Sequence, residues 1–396
     1  MRTTPAAATP TRRGGRLLAA AVLLALTGAA CTDDTEWEAQ RAASDASSAP
    51  TPQVEVSTVP EPVAADLEAA LIATMERYGV PGAAVAVEDP ELGEWVATAG
   101  VADLDTDEPV TTSLEWPIRS ITKSFTVTLL LQLVDEGEVS LDDTIDQWVQ
   151  EVPNGDEVTL QQLADMSAGV PEYTTGAFID DFVADTTAPY TTQELIGYAL
   201  AEEPVAAPGE ERIYINTSTV LLGEVIEQVT GQPFEVVLQE RILDPLGMDG
   251  TAYPTEPEGW GGPHATGYQP DDDGPAAAPQ NFTVFGPAGA MVSTLDDLLT
   301  WGPALAEGSL LEDSTQELRL DGAPLEEGPE YDRYAAGIGE VDGWWGHTGE
   351  GFGFTALVMH QIDSGATVAI AMNLSNVGDH PPTKLFREIA AILDDA

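Results

Sequence analysis

Apolar residues along the chain fall into three regimes. Leu17 to Ala30 is an almost unbroken run of Leu, Ala and Val, Thr32 to Pro62 shows little apolar periodicity, and from Val63 onward helical and strand periods alternate. Leu67, Leu71, Ile72 and Met75 recur at helical spacing through Arg77, and Gly79-Val80-Pro81-Gly82 breaks that helix. The short apolar run 83–87 then predicts a strand, with 95–99 as its hairpin partner. Toward the other end, 354–360 and 366–372 read as two further strands separated by the turn signal Asp363-Ser364-Gly365, and 383–393 as a closing helix. Helical patterns fill the middle, over 120–136, 159–166, 192–202, 218–230, 234–242 and 294–305. Strands at both ends with helices between predict an α+β fold: an antiparallel β-sheet flanked by the N- and C-terminal helices, with a mostly helical lobe inserted. The sheet lobe covers about 63–118 and 285–396 and the helical lobe about 119–284, and a cleft is expected at their boundary.

The first sixty residues carry a different message. Arg2, Arg12, Arg13 and Arg16 precede the apolar run, and residues 1–30 contain no acid, which is the pattern of a secretory signal peptide. The run is shorter than the roughly 20 residues needed to span a bilayer, so cleavage is expected rather than retention. It ends in Leu26-Thr27-Gly28-Ala29-Ala30-Cys31, which resembles a bacterial lipobox with Gly28 where Leu or Val is usual. The resemblance implies a lipid on Cys31 that holds the exported protein at the extracellular face of the membrane; plain cleavage would leave it secreted. Residues 31–62, rich in Asp, Glu, Ala, Ser, Thr and Pro, read as a disordered tether, and 63–396 as the folded domain.

Composition narrows the function classes. Lys and Arg number 14 against 68 Asp and Glu, a formal charge of −54, while 43% hydrophobic residues suffice for a large core. Loss of 1–30 removes four Arg and no acid, leaving ten cations against 68 acids and a charge of −58. Such a field repels nucleic-acid phosphates and anionic headgroups, so nucleic acid is excluded as a partner. Lys has almost vanished, with Lys123 and Lys384 alone remaining, and the spread of acids reads as a solvated surface suited to high salt. With Cys31 the sole cysteine, no disulfide can form within the monomer, and four His without metal-ligand spacing predict no zinc site. P-loop and dinucleotide fingerprints are missing, no cofactor is expected, and Asp165-Met166-Ser167-Ala168-Gly169 lacks the first Gly of G-x-S-x-G. Nothing in the pattern specifies an oligomeric state.

Three short motifs carry candidate chemistry. Ser120-Ile121-Thr122-Lys123 opens a helix that is apolar almost all round and therefore buried. At i and i+3 the Ser120 hydroxyl and Lys123 ammonium share one face of the first turn, and a desolvated Lys loses its proton readily enough to take that of the serine. The alternative is an N-capping Ser with a snorkelling Lys; placing one of two lysines inside an apolar helix start favours chemistry. Tyr214-Ile215-Asn216 follows Pro208-Gly209, and in an extended segment its phenol and carboxamide point the same way, able to relay protons and to hold a substrate carbonyl. His347-Thr348-Gly349 lies between Trp344-Trp345-Gly346 and Glu350-Gly351-Phe352-Gly353, a Gly-rich strand edge that lets substrate backbone approach an N–H. Taken singly, the last two also fit an ordinary loop and a turn with a surface His.

Together S-x-x-K, Y-x-N and H-T-G, in that order, resemble the serine β-lactamase and penicillin-binding-protein family, in particular its class C-like branch of β-lactamases, DD-carboxypeptidases and esterases. The resemblance covers roughly 63–393 and includes Val80-Pro81-Gly82, Ser167-Ala168-Gly169-Val170-Pro171 and Ser293-Thr294-Leu295-Asp296-Asp297-Leu298. It implies Ser120 as the acylated nucleophile, Lys123 and Tyr214 as coupled general base and acid, and Asn216, His347, Thr348 and Gly349 as substrate-positioning groups. It further implies an oxyanion hole from the backbone N–H groups of Ser120 and Glu350. Penicillins and D-alanyl-D-alanine peptides carry a carboxylate that needs a cation. His347 stands where the family often has Lys and is mostly neutral at pH 7, and no Lys or Arg occurs between Arg333 and Lys384. An exported esterase, or a peptidase for uncharged termini, is therefore expected ahead of a dedicated β-lactamase, acting on a small-molecule or peptide acyl substrate. A DD-carboxypeptidase is the second reading within the same acyl-enzyme chemistry, and a β-lactamase or a non-catalytic, penicillin-binding-like surface receptor are the alternatives.

Overall fold

The computed structural model describes residues 51–271 and 274–396. The signal segment, Cys31 and the tether as far as residue 50 lie outside the described residues. The rest of the expected tether is partly structured: strand β1 (Gln53–Ser57) pairs antiparallel with β3 (Gly93–Asp103), and helix α1 begins at Glu61 and runs to Tyr78. Val54 and Val56 give too weak an alternation to announce a strand, and only the waiting edge of β3 makes one.

The main sheet continues with β2 (Gly82–Asp89), the short β4 (Glu108–Pro109) against β3, β9 (Arg333–Ala335), β10 (Ile338–Val341), β11 (Trp344–Gly351), β12 (Phe354–His360) and β13 (Thr367–Met372). Its strands lie in the order β1-β3-β2-β13-β12-β11-β10-β9, so the first and last thirds of the chain meet at the β2–β13 pair, Ala83↔Met372 to Glu88↔Thr367. Both faces are covered, which is why β2 reads as a continuous apolar run. Ala83, Val85 and Val87 pack with α1 and the C-terminal helix Pro381–Asp394, whereas Ala84 and Ala86 pack toward the inserted lobe. Two minor pairs, β5 (Trp116–Pro117) with β8 (Val292–Ser293) and β6 (Tyr268–Asp271) with β7 (Gly274–Ala277), frame the passage between the lobes.

The helices, in chain order after α1, are α2 (Thr122–Asp135), α3 (Leu160–Ala164), α4 (Gly176–Ala184), α5 (Thr192–Ala199), α6 (Asn216–Thr230), α7 (Phe234–Leu238), α8 (Asp244–Leu246), α9 (Leu295–Glu307), α10 (Asp313–Arg319) and α11 (Pro381–Asp394). Helix α2 is the axis of the inserted lobe: every residue from Thr122 to Leu131 is buried. Its hydroxyls are satisfied, Ser124 Oγ donating to Ile121 O at 2.6 Å within the turn and Thr126 Oγ1 to the distant Pro287 O at 2.7 Å, so the burial carries little polar cost. Phe125 stacks on Trp301 of α9 with centroids 3.8 Å apart, tying that axis to the helix that lies under the sheet. The architecture is the expected α+β one, with sheet, flanking terminal helices and inserted helical lobe. Among the described residues no helix is long and apolar enough to cross a membrane.

Candidate active site

Ser120 lies in a 3-10 turn, Arg119–Ile121, that runs into α2. The turn hangs from the β5–β8 region, with Ile118 N donating to Met291 O at 3.0 Å and Met291 N to Thr122 Oγ1 at 3.2 Å. Arg119 adopts a left-handed φ of 50°, a strain of about 1–3 kcal/mol for a non-glycine residue, immediately before the serine. Ser120 is half-buried, and Lys123 lies wholly buried beneath it. Lys123 Nζ is 3.0 Å from Ser120 Oγ, 2.8 Å from Asn216 Oδ1 and 2.8 Å from Ala288 O, so its three donor directions are filled. Loss of solvation lowers its pKa to about 7, opposed by the nearby carboxylate of Glu172.

Tyr214 and Asn216 reach the site differently from the expected extended segment. Ile215 is extended, but α6 starts at Asn216 itself, two residues before the expected helix. The turn into that helix aims the Asn216 carboxamide at Lys123, while the Tyr214 ring lies with its centroid 5.0 Å from Lys123 Nζ. The Tyr214 hydroxyl is enclosed without a well-formed hydrogen bond. Burial raises its pKa well above 10, against a smaller lowering by the Ser120 hydroxyl beside it, so the phenol stays protonated. Of the two groups, Lys123 is therefore the one that can take up a proton near neutral pH, while the phenol can only donate one.

Strand β11 brings the third motif. Gly351↔Phe354 closes a two-residue hairpin whose central residues, Phe352 and Gly353, have φ of 42° and 83°, the signs of a type I′ turn. In such a hairpin the closing pair exchanges both hydrogen bonds, so Gly351 and Gly349 point their amides at β12 and Glu350 points its amide at the opposite edge. Pairing with β10 stops at Gly346, which leaves that edge open toward the turn that carries Ser120. Gly349 is needed there because a Cβ would stand 2.1 Å from Ile118 O. The residue before Glu350 thus abuts the two residues before Ser120.

His347 and Thr348 are more enclosed than substrate-contacting groups would be. His347 is fully buried; Nδ1 donates to Thr348 O at 2.6 Å, since a carbonyl only accepts, and Nε2 then accepts from Tyr334 OH at 3.1 Å. Burial lowers its pKa to about 3, so it is neutral. Thr348 Oγ1 bonds Tyr331 OH at 2.7 Å. Arg119, Arg212 and Arg333, carried by segments that bear site residues, are all engaged: Arg119 is caged in phenyl rings, Arg212 pairs with Asp165 at 3.2 Å and Arg333 with Glu340. Among the described residues, no three His, Cys, Asp or Glu are arranged to hold a metal.

Two residues at the site escape sequence reasoning. Glu172, just after Val170-Pro171, accepts from Asn216 N at 2.7 Å and Thr174 N at 3.1 Å, capping α6 while its charge acts on Lys123. His380 caps α11 and donates from Nε2 to Gly349 O at 3.2 Å. A lone acid after a proline and a lone His before a proline pair carry no spacing signal; Arg119 had one, as a rare cation adjacent to Ser120.

A model of the family described as Beta-lactamase matches residues 67–391. A β-lactamase of Pseudomonas fluorescens is 29% identical over 177 residues, 45% of this chain and 47% of that protein. The D-alanyl-D-alanine-carboxypeptidase/endopeptidase AmpH of Escherichia coli K12 is 27% identical over 210 residues, 51% of this chain and 52% of that protein. The chain thus spans about half the length of these curated relatives. A solved structure, a D-stereospecific amidohydrolase from Streptomyces sp., superposes with a TM-score of 0.71 at 30% identity, over 82% of this chain and 97% of that one. With the fold, the Ser120–Lys123 contact and the open β11 edge in place, the chain belongs to the β-lactamase family of penicillin-binding-protein-like serine hydrolases.

Proposed function

We propose that the protein is a hydrolase of the family's class C-like branch, forming an acyl-enzyme on Ser120 and cleaving amides or esters whose leaving end is uncharged. The observation that carries this is Lys123 Nζ, buried with a pKa of about 7 and 3.0 Å from Ser120 Oγ. Neutral Lys123 takes the serine proton as Oγ attacks the acyl carbon, and the carbonyl oxygen turns anionic between the N–H groups of Ser120 and Glu350. Protonated Lys123 and the Tyr214 hydroxyl return the proton to the leaving nitrogen or oxygen, and water repeats the sequence to free the acid.

The substrate class follows from charge. Among the described residues near the site, each Arg is already engaged by rings or carboxylates, His347 is locked neutral, and the half-buried Glu172 beside Asn216 favours an acyl group bearing an ammonium. The Streptomyces relative is named a D-stereospecific amidohydrolase, which supports amides or esters of D-amino acids. Export and a lipid on Cys31 complete the proposal; a mass increase of the membrane-bound protein confined to an N-terminal Cys31 peptide tests them. The catalytic reading is tested by incubating the wild type and Ser120→Ala with D- and L-phenylalanine amide, the N-acetylated D-amide and a penicillin. Turnover of the free D-amide that needs Ser120 is expected; turnover by Ser120→Ala refutes the mechanism. A penicillin adduct on the wild type instead favours the carboxypeptidase reading.

A further inference from the structure

The oxyanion donor assigned to Glu350 belongs to the peptide joining Gly349 and Glu350, and that peptide is unusually well held. Its carbonyl, Gly349 O, receives the Nε2–H of His380 at 3.2 Å in addition to facing β12. The imidazole cannot be turned round: Nδ1 accepts from Thr383 N at 3.3 Å and meets Thr383 Oγ1 at 2.8 Å, so its proton sits on Nε2. Two residues on, Gly351 O receives the Nε–H of Arg119 at 3.0 Å. Arg119 Nη2 bonds Gln280 Oε1 at 2.5 Å, whose Nε2 donates to Phe352 O at 2.6 Å, closing a ring of contacts around the hairpin. The guanidinium has no carboxylate partner, its Nη1 makes no hydrogen bond, and it is boxed by Phe282, Phe285, Phe352 and Phe354. A fully buried cation, on strained backbone, with a donor unused, is an expensive way to join two loops.

We propose that His380 and Arg119 are positioning residues for the oxyanion hole, His380 polarising the Gly349–Glu350 peptide and Arg119 setting its distance from the nucleophile turn. A hydrogen bond to the carbonyl of a peptide strengthens its N–H as a donor, by roughly 10–30% per bond. Arg119 precedes Ser120, so its side chain binds β11 on one side of Glu350 while the neighbouring Ile118 carbonyl abuts Gly349 on the other. The two oxyanion donors are thereby held at fixed spacing from both directions. The inference rests on the acyl-enzyme reading of Ser120.

Its test separates catalysis from capping. His380→Asn retains a good N-cap for α11 but is too short to reach Gly349 O, whereas His380→Ala loses both. On 4-nitrophenyl acetate, both variants are expected to lose about tenfold in kcat/KM, with affinity for phenylboronic acid, whose adduct places a tetrahedral oxygen in the hole, falling in step. His380→Asn should keep the wild-type melting midpoint, and Arg119→Lys should repeat the kinetic loss. Wild-type kcat/KM and boronate affinity in His380→Asn overturn the proposal, as does a loss that tracks only the fraction of folded protein. Ser120→Ala runs beside them: if it still turns over the ester the underlying mechanism fails, and if it is inactive while His380→Asn is unimpaired, only the positioning roles fall.

Discussion

The protonation state of Lys123 is the most consequential quantity at this site, and Glu172 is the lever that moves it. With a pKa of about 7 rather than 10.5, about half of the Lys123 side chains are neutral at pH 7, against about one in 3,000 for a solvated lysine. Burial therefore greatly enlarges the share of enzyme whose base is free at pH 7, a gain partly offset because a less basic amine takes the serine proton less readily. The Glu172 carboxylate opposes the shift by stabilising the ammonium. Glu172→Gln removes the charge while its amide keeps one of the two oxygens that now accept from Asn216 N and Thr174 N. The pKa of Lys123 must then fall further, so the acidic limb of kcat/KM moves to lower pH and the variant outpaces the wild type below neutrality. The assay is hydrolysis of 4-nitrophenyl acetate between about pH 5 and 9, an ester without an ammonium, so that substrate binding does not change with the substitution. Because burial also raises the pKa of Glu172, a limb that stays in place refutes a charged Glu172 acting on Lys123, and a limb that moves to higher pH refutes Lys123 as the group that takes the serine proton.

Two further outcomes follow from packing and charge. Gly349→Ala sets a methyl 2.1 Å from Ile118 O and so pushes β11 off the nucleophile turn; acylation of Ser120, followed by intact mass with an activated ester, should fall by about a hundredfold or more while the folded state survives. The −58 charge of the chain without residues 1–30 predicts a melting midpoint that climbs from 0.1 to 2 M NaCl as the screening length shrinks from about 10 Å to less than 3 Å, and a flat response contradicts an acidic surface tuned to salt.

Part of the candidate site was legible in the sequence. The i, i+3 spacing of Ser120 and Lys123 survives folding because it is local, and the burial of Lys123 was implied by the apolar residues that follow it on every side of α2. Strands buried on both faces announce themselves as apolar runs, as β2, β12 and β13 do. Less could be read where tertiary context supplies the order. Strand β1 exists because β3 offers it an edge, and α4, with Phe178, Ile179 and Phe182 inward, is so short and so rich in Gly and Asp that its period is faint. The Tyr214–Asn216 segment was expected to converge by strand alternation, yet it converges because Glu172, 44 positions away, caps the helix start at Asn216.

By itself the sequence determined the α+β class, the longer helices and strands in their order, the pairing of Ser120 with Lys123 on one helical turn, and an acidic, cation-poor chain. Those properties are local or compositional, carried by periods of a few residues and by simple counts. The tertiary structure decided which carbonyls, rings and charges surround them: that His347 is sealed between Tyr334 and Thr348, that Arg119 is caged without a counter-ion, and that His380 from the last helix meets the peptide of Glu350. Contacts between residues tens to hundreds of positions apart leave no period in a chain. They arise only when β2 and β13 pair and bring distant stretches of it together.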